Sequence, residues 1–323
     1  MPVQTSVIIC THNPRPEYLR RALDALRAQT LASSDWELLL IDNASQQRLS
    51  DTWDLVWHAN SRHIREDELG LTRERLRGIR DGRGHTLVFV DDDNVLAPDF
   101  LERVQAIAAD NPHLGVFGAG TLEPDFETLP APETVPFLGH LALRSVSSIL
   151  WSNNPADISA NPWGAGISVT RETAQVYVRL VEQLDLKRIL GRNGDRLFCA
   201  EDDLFSWAAT LAGKGFGVFP ELKVTHLISA HRLNPDYLVQ LMHDHSFSHE
   251  VLRYRLTGAQ GPKRKRPTKL LWHLRLLLHG LKNGRFSMQC RQARFCGLNN
   301  ATQFILENGL IPLSPSAFFP AER

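Results

Sequence analysis

The sequence has few cysteines and nothing that pairs them. Cys10, Cys199, Cys290 and Cys296 include no CxxC pair, which argues against a disulfide framework. They read as small buried thiols in a reducing compartment. No signal peptide opens the chain, and no run of 18 apolar residues could span a bilayer; the expectation is a cytoplasmic protein. Internal repeats and low-complexity tracts are absent. Net charge is missing too, with 36 Lys and Arg against 36 Asp and Glu. That balance hides one further absence. From Val251 to Leu306 there is no Asp or Glu but twelve Lys or Arg, so the remainder carries net −12. The rest of the composition, 43% apolar and 22% charged, is that of an ordinary globular protein. At 323 residues the chain can form one large domain, or a domain with an appendage.

The most informative stretch is LVFVDDDN, residues 87–94. Four apolar residues read as a short buried strand. Asp91, Asp92 and Asp93 follow at once. Like charges this close raise one another's pKa unless a positive group sits among them. Mg²⁺ or Mn²⁺ would answer, because hard cations take carboxylate oxygens and often substrate phosphates. Open α/β sheets bind ligands at the carboxyl ends of strands. The alternative is a solvated acidic turn before a helix beginning near Pro98.

Taken in order, SVIIC (6–10) reads as a first strand and THNPRPE as a loop. Leu19, Ala22, Leu23 and Leu26 recur at helical spacing over 17–29. WELLLID (36–42) is a second strand that delivers Asp42 at its end. Residues 51–68 are hard to assign, with Trp53 and Trp57 read as core. GLTRERLRGIRDG (70–82) is a basic helix. A helix over 98–109 and a strand over 115–120 follow. This alternation points to a mostly parallel α/β sheet flanked by helices. Residues 122–160 are proline-rich and aperiodic, the length of a functional loop. NPWGAGISVTRE holds Gly164 and Gly166, either a close backbone approach to ligand or a plain tight turn. The helix over 201–211 is expected to bury Leu204, Trp207, Ala208 and Leu211. Its first turn holds Glu201, Asp202 and Asp203, where the helix dipole favours negative charge. Residues 217–233 read as a short strand pair carrying His226 and His231.

These motifs, in this order, resemble the inverting glycosyltransferases of family 2, which have the GT-A fold. The resemblance covers about residues 4–233. SVIICTHN resembles the family's opening nucleotide-binding strand, and Asp42 stands where an Asp contacts the base. GLTRERLRGI is similar to the G-L-x-x-A-R-N-x-G-I helix, which matches Arg75 to its Arg; Glu74 and Leu76 depart from the pattern. VDDDNVLAPD resembles the DxD segment, with Asp91 and Asp93 as the pair and Asp92 between them. AEDDLFSWAATLAGKG resembles the E-D-x-x-L helix, which implies Asp202 as catalytic base. Residues 191–233 and the HRLNPDY that overlaps their end look particularly like bacterial members acting in surface-polysaccharide assembly.

What this resemblance implies is metal-assisted transfer of a sugar from a nucleotide diphosphate, a UDP-sugar in the first instance, to a glycan or lipid-linked hydroxyl. Asp93, Asp91 and His226 would hold Mn²⁺ or Mg²⁺, with Asp92 on ribose or metal. Asp42, with Thr11 or His12, would line the nucleotide pocket. Asp202 would take the acceptor proton. Glu201 would orient that base, and Trp163 would stack on an acceptor sugar. His231 and Arg232 could reach the diphosphate from a closing loop. A nucleotidyltransferase is the first rival, but THNPRPE lacks its Gly-rich triphosphate loop. The second is a non-catalytic glycan-binding or assembly protein, against which the retained acidic motifs argue.

The expected division is a catalytic domain over 1–235, with a nucleotide half (1–120) and an acceptor half (121–235), and a basic helical extension over 236–323. Within the extension, KRKR (263–266) leads into PTKLLWHLRLLLHGLK. Leu270, Leu274, Leu277, Leu278 and Leu281 share one helical face, widened by Leu271, Trp272 and Leu276. A basic-flanked, Trp-containing amphipathic helix reads as an interfacial anchor, so 263–285 is expected to touch anionic membrane. The alternative is packing on the catalytic domain. No nucleic-acid module accompanies the charge.

Overall fold

The computed structural model describes residues 3–186, 189–192, 196–259 and 269–313. The chain divides into two compact units. The first takes residues 1–127, 142–182 and 201–228; the second takes 128–141, 183–200 and 229–323. The second unit therefore draws on two inner stretches as well as the carboxyl-terminal part expected from 236 onwards.

The first unit is a mixed α/β layer structure. In chain order its elements are β1 (Thr5–Thr11), α1 (Pro16–Arg27), β2 (Trp36–Asn43), β3 (Ser61–Glu66), α2 (Leu71–Asp81), β4 (Thr86–Asp91), β5 (Asn94–Leu96), α3 (Phe100–Asp110), β6 (Leu114–Phe126), β7 (Arg144–Ser145), β8 (Leu150–Ser152), β9 (Ile167–Thr170), α4 (Arg171–Leu184), α5 (Glu201–Leu211) and β10 (Gly215–Ile228). The sheet runs β3-β2-β1-β4-β9-β6-β10-β5, with β7 beside β6 and β8 beside β10. The β3-β2-β1-β4 half is parallel. Its central strands are covered on both faces, which is why β1 and β4 read as unbroken apolar runs; Val7, Ile8 and Ile9 are fully buried. β9 then enters antiparallel to both β4 and β6. That reversal makes the other half of the sheet mixed.

Local sequence explains most of the helices. α1 buries Leu19, Ala22, Leu23 and Leu26. Pro16 at its start gives up no needed N–H. Gly166 joins the loop to β9 with φ +74°, and a Cβ there would meet Phe100 and Val224 at 3.1 Å, so both conformation and space require glycine.

The structure corrects four expectations. Residues 217–228 belong to one long strand, β10, and 230–233 form a 3₁₀ turn. Bulges between Phe219 and Lys223 bend the strand, and its turn-like Pro220 simulates a break. The inner face of α5 holds Leu204, Phe205, Ala208 and Ala209, while Trp207 and Leu211, expected on that face, are only half-buried. β3, hidden in the unassigned 51–68, is a polar edge strand whose only fully buried residue is Ile64. Of the cysteines, Cys10 and Cys290 are buried, Cys199 half-buried and Cys296 exposed.

In the second unit, α6 (Pro235–Thr257), α7 (Lys269–Asn283) and α8 (Arg285–Glu307) follow one another. The Asn234 side chain caps α6 by accepting from the Asp236 N–H at 2.8 Å, and Gly258 closes it with φ +68°, the arrangement expected of a helix stop. α6 and α8 approach closely at Gly297, where a Cβ would lie 2.3 Å from the His243 carbonyl. On α7, Leu276 is buried and Trp272 stacks on Phe295 at 4.0 Å. Leu274, Leu277, Leu278 and Leu281 are more than half exposed. The KRKR run and the side chains of Leu270 and Leu271 lie outside the described residues. Among the described residues no helix is long and apolar enough to cross a membrane.

Candidate active site

The acidic run sits where β4 ends. Asp91 is the last residue of β4, and Asn94 opens β5. β5 pairs antiparallel with β10, and the register sets Asn94 opposite His226. His226 Nε2 comes within 3.3 Å of Asp93 Oδ2. Asn94, fully buried, donates to Asp93 Oδ1 at 2.9 Å and accepts from the Asp91 N–H at 3.4 Å. The Leu227 N–H donates to the Asp93 carbonyl at 2.8 Å. Asp93 is thus held from two strands at both its main chain and its side chain. Asn94 does the holding, although its own motif position carried no assigned role.

Asp92 accepts from the buried Thr11 hydroxyl, so β1 and the acidic turn meet. His12 points elsewhere: its Nδ1 lies 2.6 Å from the Asn43 carbonyl oxygen. Asp42 is almost fully buried. Its oxygens accept from the Ser45 and Leu49 N–H groups at 3.1 Å each and from Arg65 Nη1 at 2.8 Å. Burial pushes this carboxyl up, but those hydrogen bonds outweigh it and hold it below the ordinary value. The Ser45 hydroxyl adds a fourth hydrogen bond, so the protein itself takes up about all the acceptor positions of this carboxylate.

Behind the acidic turn lies Arg75, only 1% exposed. Its Nη1 is 3.4 Å from Glu201 Oε1, and its guanidinium sits beside the Phe89–Phe205 ring pair, 5.8 and 6.0 Å from the two centroids. Burial disfavours its charge, yet Glu201, Asp91, Tyr177 and Asp202 together raise its pKa. The same list of neighbours places Asp91 and the first turn of α5 within electrostatic reach of one cation. Glu201 is 6% exposed. Burial lifts its pKa to about 7 against the pull of Arg75, and Asp202 adds to the rise. Glu74, adjacent on α2, is raised further by burial and by Asp92 and Asp91. Arg75 Nε, Glu74 Oε2 and Glu201 Oε2 are buried without a hydrogen-bond partner.

Asp202 heads α5. Its Oδ2 accepts from the Gly164 N–H at 3.2 Å and its Oδ1 from the Asp203 N–H at 3.2 Å. Gly164 is required here, since a Cβ would come 2.5 Å from Arg75 Nη2. Trp163 is half-buried against the core. Arg144 covers one of its faces, 3.7 Å from the ring centroid, and donates to the Asn161 carbonyl at 2.9 Å. Burial lowers Arg144 to about 10, with Asp202 opposing. Arg144 gave no signal in the sequence, since nothing marks a lone Arg in an aperiodic loop. Arg232 and His231 fall in the second unit, on the 230–233 turn.

The comparisons with known proteins bear on the half of the sheet just described. Residues 6–146 match the model of the family described as glycosyl transferase family 2. Over that stretch the chain is similar to the glycosyltransferases of family 2. A glucosyl-dolichyl phosphate glucuronosyltransferase of Haloferax volcanii is 26% identical over 130 residues, 38% of this chain and 40% of that protein. The putative glycosyltransferase EpsH of Bacillus subtilis is 27% identical over 111 residues, 34% of this chain and 31% of that one. The matched region thus spans less than half the length of these relatives. Among solved structures, S. aureus TarS 1-349 in complex with UDP-GlcNAc aligns with a TM-score of 0.49 at 13% identity, covering 95% of this chain and 92% of that one.

The donor set beside the acidic turn is carboxylate oxygen with one imidazole. That set suits a hard or borderline divalent cation such as Mg²⁺ or Mn²⁺. Asp93 and His226, expected to act together, are brought together.

Proposed function

We propose that the protein is an inverting glycosyltransferase that moves a sugar from a nucleotide diphosphate, in the first instance UDP, to a hydroxyl of a glycan or lipid-linked acceptor. The observation that carries this reading is the contact of Asp93, the last carboxylate of the acidic run, with His226, while Asp91 and Asp202 share the electrostatic field of Arg75.

Each side chain has a distinct task in this reaction. Asp93, Asp91 and His226 hold Mn²⁺ or Mg²⁺, which when bound neutralises charge developing on the departing diphosphate. Thr11 fixes Asp92 toward the ribose or the cation. Asp42, fixed by Ser45, Leu49 and Arg65, lines the nucleoside pocket and contacts the base by exchanging one of these hydrogen bonds. Asp202 accepts the acceptor proton as the hydroxyl attacks and the anomeric bond to the diphosphate breaks, so a single displacement inverts that carbon. Arg75 is too buried to touch substrate and acts as a positioning residue under Asp91 and Glu201. Arg144 already covers one face of Trp163, so an acceptor sugar would stack on the other face or displace the guanidinium. The exposed leucines of α7, flanked by basic sequence, serve as a peripheral contact with anionic membrane, suited to a lipid-linked acceptor.

The test is donor hydrolysis across a panel of nucleotide sugars with Mn²⁺ or Mg²⁺. Wild type should release one sugar in a metal-dependent way. Asp93→Ala should lose both turnover and the metal-dependent rise in Tm on adding nucleotide diphosphate. Asp202→Asn should keep the Tm shift and lose turnover. If nucleotide diphosphate with metal gives wild type no shift, the reading fails. For α7, Leu277→Glu with Leu278→Glu should abolish co-sedimentation with phosphatidylserine vesicles while leaving donor hydrolysis intact.

A further inference from the structure

We infer that the second unit carries a zinc site built from Cys199, His245 and His249, using none of the residues of the acidic cluster. All three side chains belong to the second unit. His245 and His249 are one turn apart on α6, with ring centroids 6.1 Å apart. Spacing of four residues sets two imidazoles on one helical face, the arrangement that helix-borne metal pairs use. The thiol arrives from the segment before α5. Backbone bonds lay that segment along α6: the Leu197 N–H donates to Asp244 Oδ2 at 2.9 Å, and the Cys199 N–H to Ser248 Oγ at 3.3 Å. Asp244 and Ser248 are both buried, so these anchors are fixed. They bring Cys199 Sγ to 3.4 Å from His249 Nε2.

The three donor atoms all lie within 4.8 Å of one another. Tetrahedral zinc, with Zn–S about 2.3 Å and Zn–N about 2.05 Å, needs S···N near about 3.5 Å and N···N near about 3.3 Å. One separation already meets this, and side-chain rotation of about an ångström supplies the rest. The donor chemistry selects the metal. A thiolate with two imidazoles suits zinc, whereas the oxygen-rich acidic turn suits Mg²⁺ or Mn²⁺. A cavity of about 290 Å³ adjoins the site, lined by His140, Glu250, Arg253 and Arg294 as well as both histidines. The His140 ring lies 6.3 Å from that of His245. The fourth position can therefore take water or a further imidazole. Thiolate and Zn²⁺ leave net +1, which Arg294 opposes and Glu250, paired with Arg253 at 2.7 Å, offsets. The exposed His249 gives the ion a way in. Bound zinc would tie residues 196–200 to α6.

The full chain, stripped by chelator under reducing conditions, is titrated with Co²⁺ and then with Zn²⁺. Expected are one equivalent that shows tetrahedral d–d bands with a thiolate-to-cobalt charge-transfer band, and displacement of that equivalent by zinc. Cys199→Ser should remove the charge-transfer band and weaken zinc at least about tenfold, because the soft ligand is lost. His245→Asn and His249→Asn should also weaken it. Cys296→Ser, which changes the exposed thiol, and Asp93→Ala should leave the cobalt spectrum unchanged, which separates this site from the donor site. X-ray absorption of zinc-loaded wild type should show one sulfur among nitrogen or oxygen ligands, independent of whether any variant folds. A wild type without the thiolate band, or a purely nitrogen and oxygen shell, overturns the inference.

Discussion

Replacing Arg75 with Met should destabilise the protein in a way that depends on pH. The reasoning starts from Glu201, whose folded pKa of about 7 exceeds the ordinary value of about 4.3. The folded state therefore binds more protons than the unfolded state between those two values. Stability from this group is complete below about pH 4 and falls as pH rises toward 7. A shift of that size is worth about 4 kcal/mol, at 1.36 kcal/mol per pKa unit. Arg75, 3.4 Å away, limits the loss by favouring the carboxylate. Removing the guanidinium drives the Glu201 pKa higher and leaves a buried carboxylate unpaired at alkaline pH. Breaking a buried pair costs about 3–5 kcal/mol, so Arg75→Met should lose about 4 kcal/mol at pH 8. At pH 5.5 Glu201 is already protonated in the folded state, and only the attraction of Arg75 to Asp91 and Asp202 is lost. The cost there should be about half as large or less. Urea unfolding followed by tryptophan fluorescence at both pH values measures this. The double variant Arg75→Met/Glu201→Gln should recover most of the loss at pH 8 and little at pH 5.5, as a coupling cycle requires. An equal loss at both pH values, or no recovery in the double variant, would refute the pairing.

Other expectations concern close packing and the support of the acidic turn. Gly166→Ala forces an L-residue to φ +74° against Phe100 and Val224 and should lower stability by about 1–3 kcal/mol, read by the urea midpoint at constant slope. Gly297→Ala drives a methyl into the His243 carbonyl; it should lower Tm and separate α6 from α8, with faster amide exchange in both helices. Asn94→Leu fills the same space without hydrogen bonds to Asp93 and Asp91. It should weaken Mn²⁺-dependent nucleotide binding more than it lowers Tm.

Much of the first unit was legible because its signals are local. β1, β2 and β4 are unbroken apolar runs, and α1 shows its buried face in Leu19, Ala22, Leu23 and Leu26. Asp93 and His226 could be paired in expectation because motif order carries distance that spacing cannot. The misses have one physical origin, which is that burial is decided by neighbours distant in sequence. The motif singled out Arg75 from Arg73, Arg77 and Arg80 on the same helix, but nothing local shows that it is enclosed by α5 residues about 130 positions later. β3 is polar because it is an edge strand. β10 hides its continuity behind Pro220. The thiol–imidazole cluster spans more than 45 positions, and its one local trace was the i,i+4 histidine pair within HDHSFSH.

The register that sets Asn94 opposite His226 has a consequence for biosynthesis. The carboxylates of the acidic turn leave the ribosome more than 130 residues before the imidazole that meets Asp93. Until β10 emerges and docks, β5 has no partner strand and the turn has no second wall. Loop closure over such a span is entropically slow relative to local pairing. A nascent or truncated chain ending before Gly215 would hold the parallel half of the sheet without a working cation site. On the function proposed above, affinity for metal and nucleotide is a property the chain gains late, and its appearance during refolding would mark the docking of the last strand.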